Sequence, residues 1–221
     1  MTTVFVTSSG TGIGKTFVTA QLVAELAAEG VRVQALKPVA SGFDGARPAG
    51  SDSAVLLEAQ GLAVTPENLD AVSPWRFAAP LSPDMAAARE RRAVPFDALV
   101  AYCRAAAERA EVTLIEGVGG VMVPLDARHT VLDWIAALGA PALLVVGSYL
   151  GTLSHGLTAA AALRVRGVPL LGVIVSESAE QPVPADETAA TLARFVAPAR
   201  VLVLPRGKPV PLKSLLESRS K

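Results

Sequence analysis

Ser8-Ser9-Gly10-Thr11-Gly12-Ile13-Gly14-Lys15-Thr16 stands between a strand-like run and a helical one. Before it, Thr3–Thr7 (TVFVT) is rich in β-branched and aromatic residues. After it, Lys15–Glu29 carries Phe17, Val18, Leu22, Val23 and Leu26 at helical spacing until Gly30 stops the pattern. Glycines at 10, 12 and 14 let the backbone come close to an anion with its N–H groups turned inward. The helix that follows presents unpaired N–H groups and a positive dipole end to the same anion. Lys15 adds a point charge suited to the β- and γ-phosphates of a nucleotide, and Thr16 a hydroxyl suited to Mg²⁺. The stretch therefore predicts a nucleotide site that includes Gly12, Ile13, Gly14, Lys15, Thr16 and Phe17.

This spacing resembles a P-loop, with Ser9 where the strict pattern has its first glycine. Further along, Val31–Lys37, Val112–Glu116, Ala142–Gly147, Leu170–Val175 and Val201–Leu204 are short apolar runs without polar alternation. Such runs mark strands covered on both faces of a parallel sheet. Helical runs fill the gaps at Ser53–Gln60, Phe96–Ala110, Thr130–Leu138, Thr152–Val165 and Ala185–Phe195. The pattern predicts an α/β fold, a doubly wound and mostly parallel sheet flanked by helices. Gly42–Gly50 and Ser176–Asp186 read as loops. No repeat or linker divides the chain. One domain over residues 1–221 is expected, with 206–221 a peripheral tail.

Composition narrows the function. Of 221 residues, 51% are hydrophobic and 18% charged, which excludes a disordered chain. Twenty basic and twenty acidic residues cancel, so no basic surface is expected for nucleic acid. Cys103 is the sole cysteine, so no disulfide frame exists. The most apolar stretch, Val131–Gly147, is interrupted by Asp133 and Pro141, which argues against a membrane span. The first residues lead directly into a strand. A soluble cytoplasmic protein is expected.

Ligands of open α/β sheets bind beyond the carboxyl ends of the strands, so the residues there carry the most information. Val112–Ile115 ends in Glu116, followed by Gly117-Val118-Gly119-Gly120. A carboxylate at a strand tip is where P-loop proteins place a metal-assisting acid. Asp52 admits two readings, a helix-capping residue with Ser51 or a metal ligand. Lys37 ends the second strand and opens Lys37-Pro38-Val39-Ala40-Ser41-Gly42. Pro38 keeps the chain extended, so Lys37 and Ser41 can both point to the crevice. A second lysine near a phosphate loop suits a transferring phosphoryl group.

Together these segments resemble the dethiobiotin synthetase family. The similarity runs from about Val4 to Pro205, on GTGIGKT at 10–16, KPVASG at 37–42, EGVGG at 116–120 and LGTLSH at 150–155. The resemblance implies a homodimeric ligase that makes the cyclic urea of dethiobiotin from 7,8-diaminopelargonate, CO₂ and ATP with Mg²⁺. It implies that Thr11 and Lys15 hold phosphates, and that Thr16, Asp52 and Glu116 serve the metal. Lys37 would stabilise carbamate and transferring phosphate, and Ser41 would hold the diamine or carbamate. Backbone of Glu116, Gly117, Val118 and Gly119 would approach nucleotide and substrate. Gly151, Thr152 and Leu153 would cap the substrate carboxylate at a helix start, across the dimer.

Two positions depart from the family pattern. Gly12 stands where many members have an acid, and Ser176-Glu177 stands where some have an Asn-Asp pair for adenine. Two expectations follow, loose recognition of adenine or use of another nucleoside triphosphate, with Ser176 and Pro205 lining the base. Two other readings share the loop. A partition- or septum-type P-loop ATPase would act as a nucleotide switch, but it carries an extra lysine near the loop start, where Ser8, Ser9 and Gly10 stand here. A non-catalytic nucleotide-binding regulatory domain is the third reading, and the intact Lys37 and Ser41 speak against it.

Overall fold

The computed structural model describes residues 1–216. In chain order, β1 (Thr2–Ser8), α1 (Lys15–Ala28), β2 (Val33–Leu36), β3 (Val39–Ser41), α2 (Asp52–Ala59) and α3 (Pro66–Val72) come first. The middle of the chain supplies β4 (Trp75–Phe77), α4 (Pro83–Arg89), α5 (Phe96–Ala107), β5 (Val112–Glu116) and α6 (Val131–Leu138). Then follow β6 (Ala142–Val146), α7 (Thr152–Val165), β7 (Leu170–Ser176), α8 (Ala185–Val196), β8 (Arg200–Leu204) and a 3₁₀ turn, Lys213–Leu215. Six strands form one sheet in the order β2-β5-β1-β6-β7-β8, and every neighbouring pair is parallel. This is the doubly wound sheet that the apolar runs predict.

Those runs lack alternation because both faces are covered. Successive side chains of a strand point to opposite faces. Along β1, Val4 and Val6 join Val18, Leu22 and Val23 of α1 in one core. Phe5 between them joins the opposite core, where its ring meets Trp134 edge-on at 4.8 Å. A chain that starts at β1 in the middle of the sheet and builds outward on both sides leaves a crevice at the carboxyl ends beside β1.

The structure amends the sequence reading in two places. Val39–Ser41 is not only an extended connector: it pairs in parallel with Trp75–Phe77 as a separate two-stranded sheet. Further, the segment after Arg206 is not peripheral throughout. Leu212 and Leu215 are fully buried in the α1-side core, and the Glu25 carboxylate accepts the Leu212 and Lys213 backbone N–H groups. Among the described residues no helix is long and apolar enough to cross a membrane.

Candidate active site

The phosphate loop leaves β1 at Ser8 and enters α1 through Gly14, whose φ of 94° lies in the left-handed region. A Cβ there would also come within 2.7 Å of the Ser176 hydroxyl, so glycine is required on both grounds. Lys15 folds back under the loop. Its ammonium is buried, 3.1 Å from Ser8 Oγ and 3.4 Å from the Gly10 carbonyl. Burial, joined by the Lys37 charge, pushes the Lys15 pKa down to about 8. The loop is tied to the Gly117–Gly120 turn: Ser8 Oγ reaches the Gly119 carbonyl at 2.9 Å, and the Val121 N–H donates to the Ser8 carbonyl.

Beside it lies a compact ionic cluster. Lys37 Nζ is 2.6 Å from Glu116 Oε1, 3.1 Å from Asp52 Oδ2 and 2.9 Å from the Gly117 carbonyl. Burial works against this ammonium, yet Glu116 and Asp52 outweigh it and hold its pKa above the usual lysine value. Burial also acts on Asp52, and the Lys37 charge more than offsets it, so its carboxyl sits below the usual carboxylate range. The Thr16 hydroxyl donates to Glu116 Oε1 at 2.8 Å. Ser51 caps α2, accepting from the Ala54 N–H, which leaves the Asp52 carboxylate directed at Lys37. The capping role thus falls to Ser51, and the Asp52 side chain pairs with Lys37.

Among the described residues, two buried oxygens of this cluster have no hydrogen-bond partner: Glu116 Oε2 and Ser41 Oγ. Groups left so cost stability unless something else satisfies them. Both residues line one cavity of about 610 Å³, together with Thr11, Lys15, Thr16, Lys37 and Asp52, and with Val118 and Gly119 at its edge. A second cavity, of about 560 Å³, lies on the other side of the loop between the ends of β7 and β8. Phe17, Ser176 and Pro205 line it. Gly12, Ile13 and Gly14 border both cavities, so the loop is the wall between them.

Gly151, Thr152 and Leu153 line neither cavity within one chain. Thr152 is buried with its hydroxyl on the Gly147 carbonyl at 2.7 Å, while Leu150 and Leu153 face solvent. His155 bonds the Tyr149 hydroxyl at 3.0 Å, and His129 pairs with Asp126 and stacks on Phe96. Sequence reasoning missed part of the wall. Pro80-Leu81-Ser82-Pro83 closes the first cavity and Tyr149 lines the second. The paired prolines around Ser82 were a usable signal, whereas Tyr149 gave none.

A parallel sheet whose first loop buries a lysine beneath a glycine cup, with one carboxylate at the end of the adjoining strand and another at the start of α2, defines a P-loop nucleotide-binding protein. The family model described as an AAA domain matches residues 2–210. The protein named "ATP-dependent dethiobiotin synthetase BioD" in Methylobacterium nodulans is 51% identical over 97% of this chain and 98% of that one. Its namesake in Acidiphilium cryptum is 50% identical over 87% of each chain. A solved structure, the septum site-determining protein MinD from Pyrococcus horikoshii complexed with Mg-ADP, shares the fold alone. It has a TM-score of 0.53 and 19% identity, over 92% of this chain and 81% of that one. The chain belongs to the dethiobiotin synthetase family, and with that membership it is a ligase.

Proposed function

We propose that this protein closes the cyclic urea of dethiobiotin from 7,8-diaminopelargonate, CO₂ and ATP. The observation that carries the reading is the shared first cavity: the Lys15–Thr16 loop, the Lys37–Glu116–Asp52 cluster and the unpartnered Ser41 hydroxyl all open onto it. A nucleotide whose base occupies the second cavity can lay its phosphates over the Gly12–Gly14 wall into the first.

One amine of the diamine adds to CO₂, loses a proton and becomes a carbamate. A carbamate oxygen then takes the γ-phosphoryl group of ATP, forming a carbamic–phosphoric anhydride and releasing ADP. The second amine attacks the carbonyl carbon and loses a proton, a C–N bond forms, and phosphate leaves with the anhydride oxygen. Phosphoryl transfer of this kind needs mainly positioning and charge neutralisation. Thr11 and Lys15 hold phosphates at the loop. Lys37 stabilises the carbamate and the transferring group, and Ser41 holds the diamine end. Gly151, Thr152 and Leu153, which line neither cavity of their own chain, serve the substrate carboxylate of a partner in a homodimer.

The oxygens of Thr16, Asp52 and Glu116 fit Mg²⁺, which takes few protein ligands and fills the rest of its octahedron with water and phosphate. The unpartnered Glu116 Oε2 supports this assignment. Among the described residues no cluster of three or more His, Cys, Asp or Glu could cage the ion without a nucleotide. When bound, Mg²⁺ neutralises charge on the β- and γ-phosphates.

The test is phosphate release from MgATP and bicarbonate, with and without the diamine. Diamine-dependent release supports the synthetase. Release stimulated by DNA or lipid would instead identify a nucleotide switch of the partition or septum type, and binding without release a regulatory domain.

A further inference from the structure

The second cavity is where the nucleotide reading places the base, and the Glu177 and Ser178 side chains on its wall are already engaged within the protein. Each Glu177 oxygen accepts a hydrogen bond, one from the Arg206 N–H at 2.8 Å and the other from Gln181 Nε2 at 3.1 Å. Ser178 Oγ accepts the Ser148 N–H at 3.0 Å, and the Ser178 N–H donates to Ser148 Oγ at 2.9 Å. The Ser148 hydroxyl in turn donates to Gln181 Oε1 at 2.6 Å. Beside these, the Ser176 hydroxyl can donate or accept with equal ease, and Glu180 and Arg206 line the cavity as exposed side chains.

Flat surface is plentiful by contrast. Tyr149, from the turn after β6, lines the same cavity as Phe17 and Pro205. Its ring is held at both ends. At one end it packs on Gly147, where a Cβ would come within 2.5 Å of Tyr149 Cδ1. At the other its hydroxyl lies 3.0 Å from His155 Nδ1. An aromatic ring fixed in this way offers its face at little ordering cost. Every nucleobase has a π-face to lay on it, whereas only particular bases match a given set of edge donors and acceptors.

We propose that Tyr149 is the stacking platform for the nucleobase and that this chain holds its nucleotide chiefly by ring contact, which is common to all bases. The proposal rests on the nucleotide reading of the two cavities. It explains how Ser176-Glu177 can stand where a base-reading pair would otherwise be expected: Glu177 braces the Ser176–Gln181 loop, and Tyr149 supplies the affinity.

Equilibrium binding of ATP, CTP, GTP and inorganic tripolyphosphate, each with Mg²⁺, tests it on the full chain. Tyr149→Ala should weaken all three nucleotides by similar factors, roughly five- to a hundredfold on the scale of base–aromatic stacking. Tripolyphosphate binding should be unchanged, which also shows the variant to be folded. Tyr149→Phe, which keeps the face and loses the His155 contact, should stay within about threefold of the parent. Unchanged nucleotide affinity in Tyr149→Ala, a loss confined to one base, or an equal loss for tripolyphosphate would each overturn the proposal. If the parent protein itself binds no nucleotide more tightly than tripolyphosphate, the base site, and not only the role of Tyr149, is refuted.

Discussion

Lys37 Nζ lies 2.6 Å from Glu116 Oε1, with the two side chains 4% and 0% exposed. The pair joins the ends of adjacent strands β2 and β5, and neither member can be removed without leaving the other charged and dry. Truncating one partner of such a pair costs about 3–5 kcal/mol. Lys37→Ala should therefore lose turnover while MgADP binding persists, and its melting point should fall by roughly 6–20 °C. The double variant Lys37→Met/Glu116→Gln should recover much of that stability and none of the activity. Near-normal turnover in Lys37→Ala would reject the assigned role, and full loss of nucleotide binding would show that Lys37 serves the nucleotide instead.

Lys15 differs in that its ammonium faces hydroxyl and carbonyl oxygens and, among the described residues, has no carboxylate within hydrogen-bond reach. Its pKa of about 8 rises when an anion arrives beside it. Triphosphate binding at pH 8 should accordingly take up a fraction of a proton. Calorimetry in buffers of differing ionisation enthalpy reads that uptake, and Lys15→Arg, which cannot titrate there, should abolish it. Lys15→Ala should weaken triphosphate binding outright. Unchanged affinity would contradict the phosphate-cradle assignment.

These residues were legible because their chemistry is written locally. Gly14-Lys15-Thr16 follows a strand and opens a helix, and Lys37 and Glu116 each end an apolar run, so sheet order alone brings them together. Legibility fails where elements are short or contacts are long-range. Trp75–Phe77 is a three-residue strand and α3 and α4 have seven residues each, too few for either period to show. Tyr149 gains its place from Gly147 and His155, neither of which signals a base site in sequence. Ser51-Asp52 was ambiguous because a cap and a ligand share residue types, and only the direction of each side chain separates them.

The segment beyond Arg206 offers a prediction of stability. Leu215 is 1% exposed and its methyl groups occupy the space where a Cβ on Gly172 would stand, at 2.7 and 3.3 Å. Leu215→Ala should cost about 2–5 kcal/mol, since it opens a cavity under β7. Urea denaturation of the full chain measures this directly. A cost below about 0.5 kcal/mol, as at exposed positions, would show that the segment does not pack here in solution.

Cys103 provides a test of the opposite core. Its side chain is wholly buried on α5, and burial pushes the thiol up to about 12 from an ordinary 9.0, with the Trp134 contact working weakly the other way. The folded-state pKa lies above the unfolded one, so the native thiol retains its proton where the unfolded thiol has lost it. The stabilising contribution is therefore complete below pH 9 and declines as pH rises toward 12. At pH 8 the native protein should react with a thiol reagent at least a hundredfold more slowly than the urea-unfolded chain, because the thiolate is the reactive form and is scarce in the fold. Cys103→Ala should flatten part of the alkaline loss of stability. Rapid labelling of the native protein, or an alkaline profile that the substitution leaves unaltered, would place the thiol outside the core between α5 and Trp134.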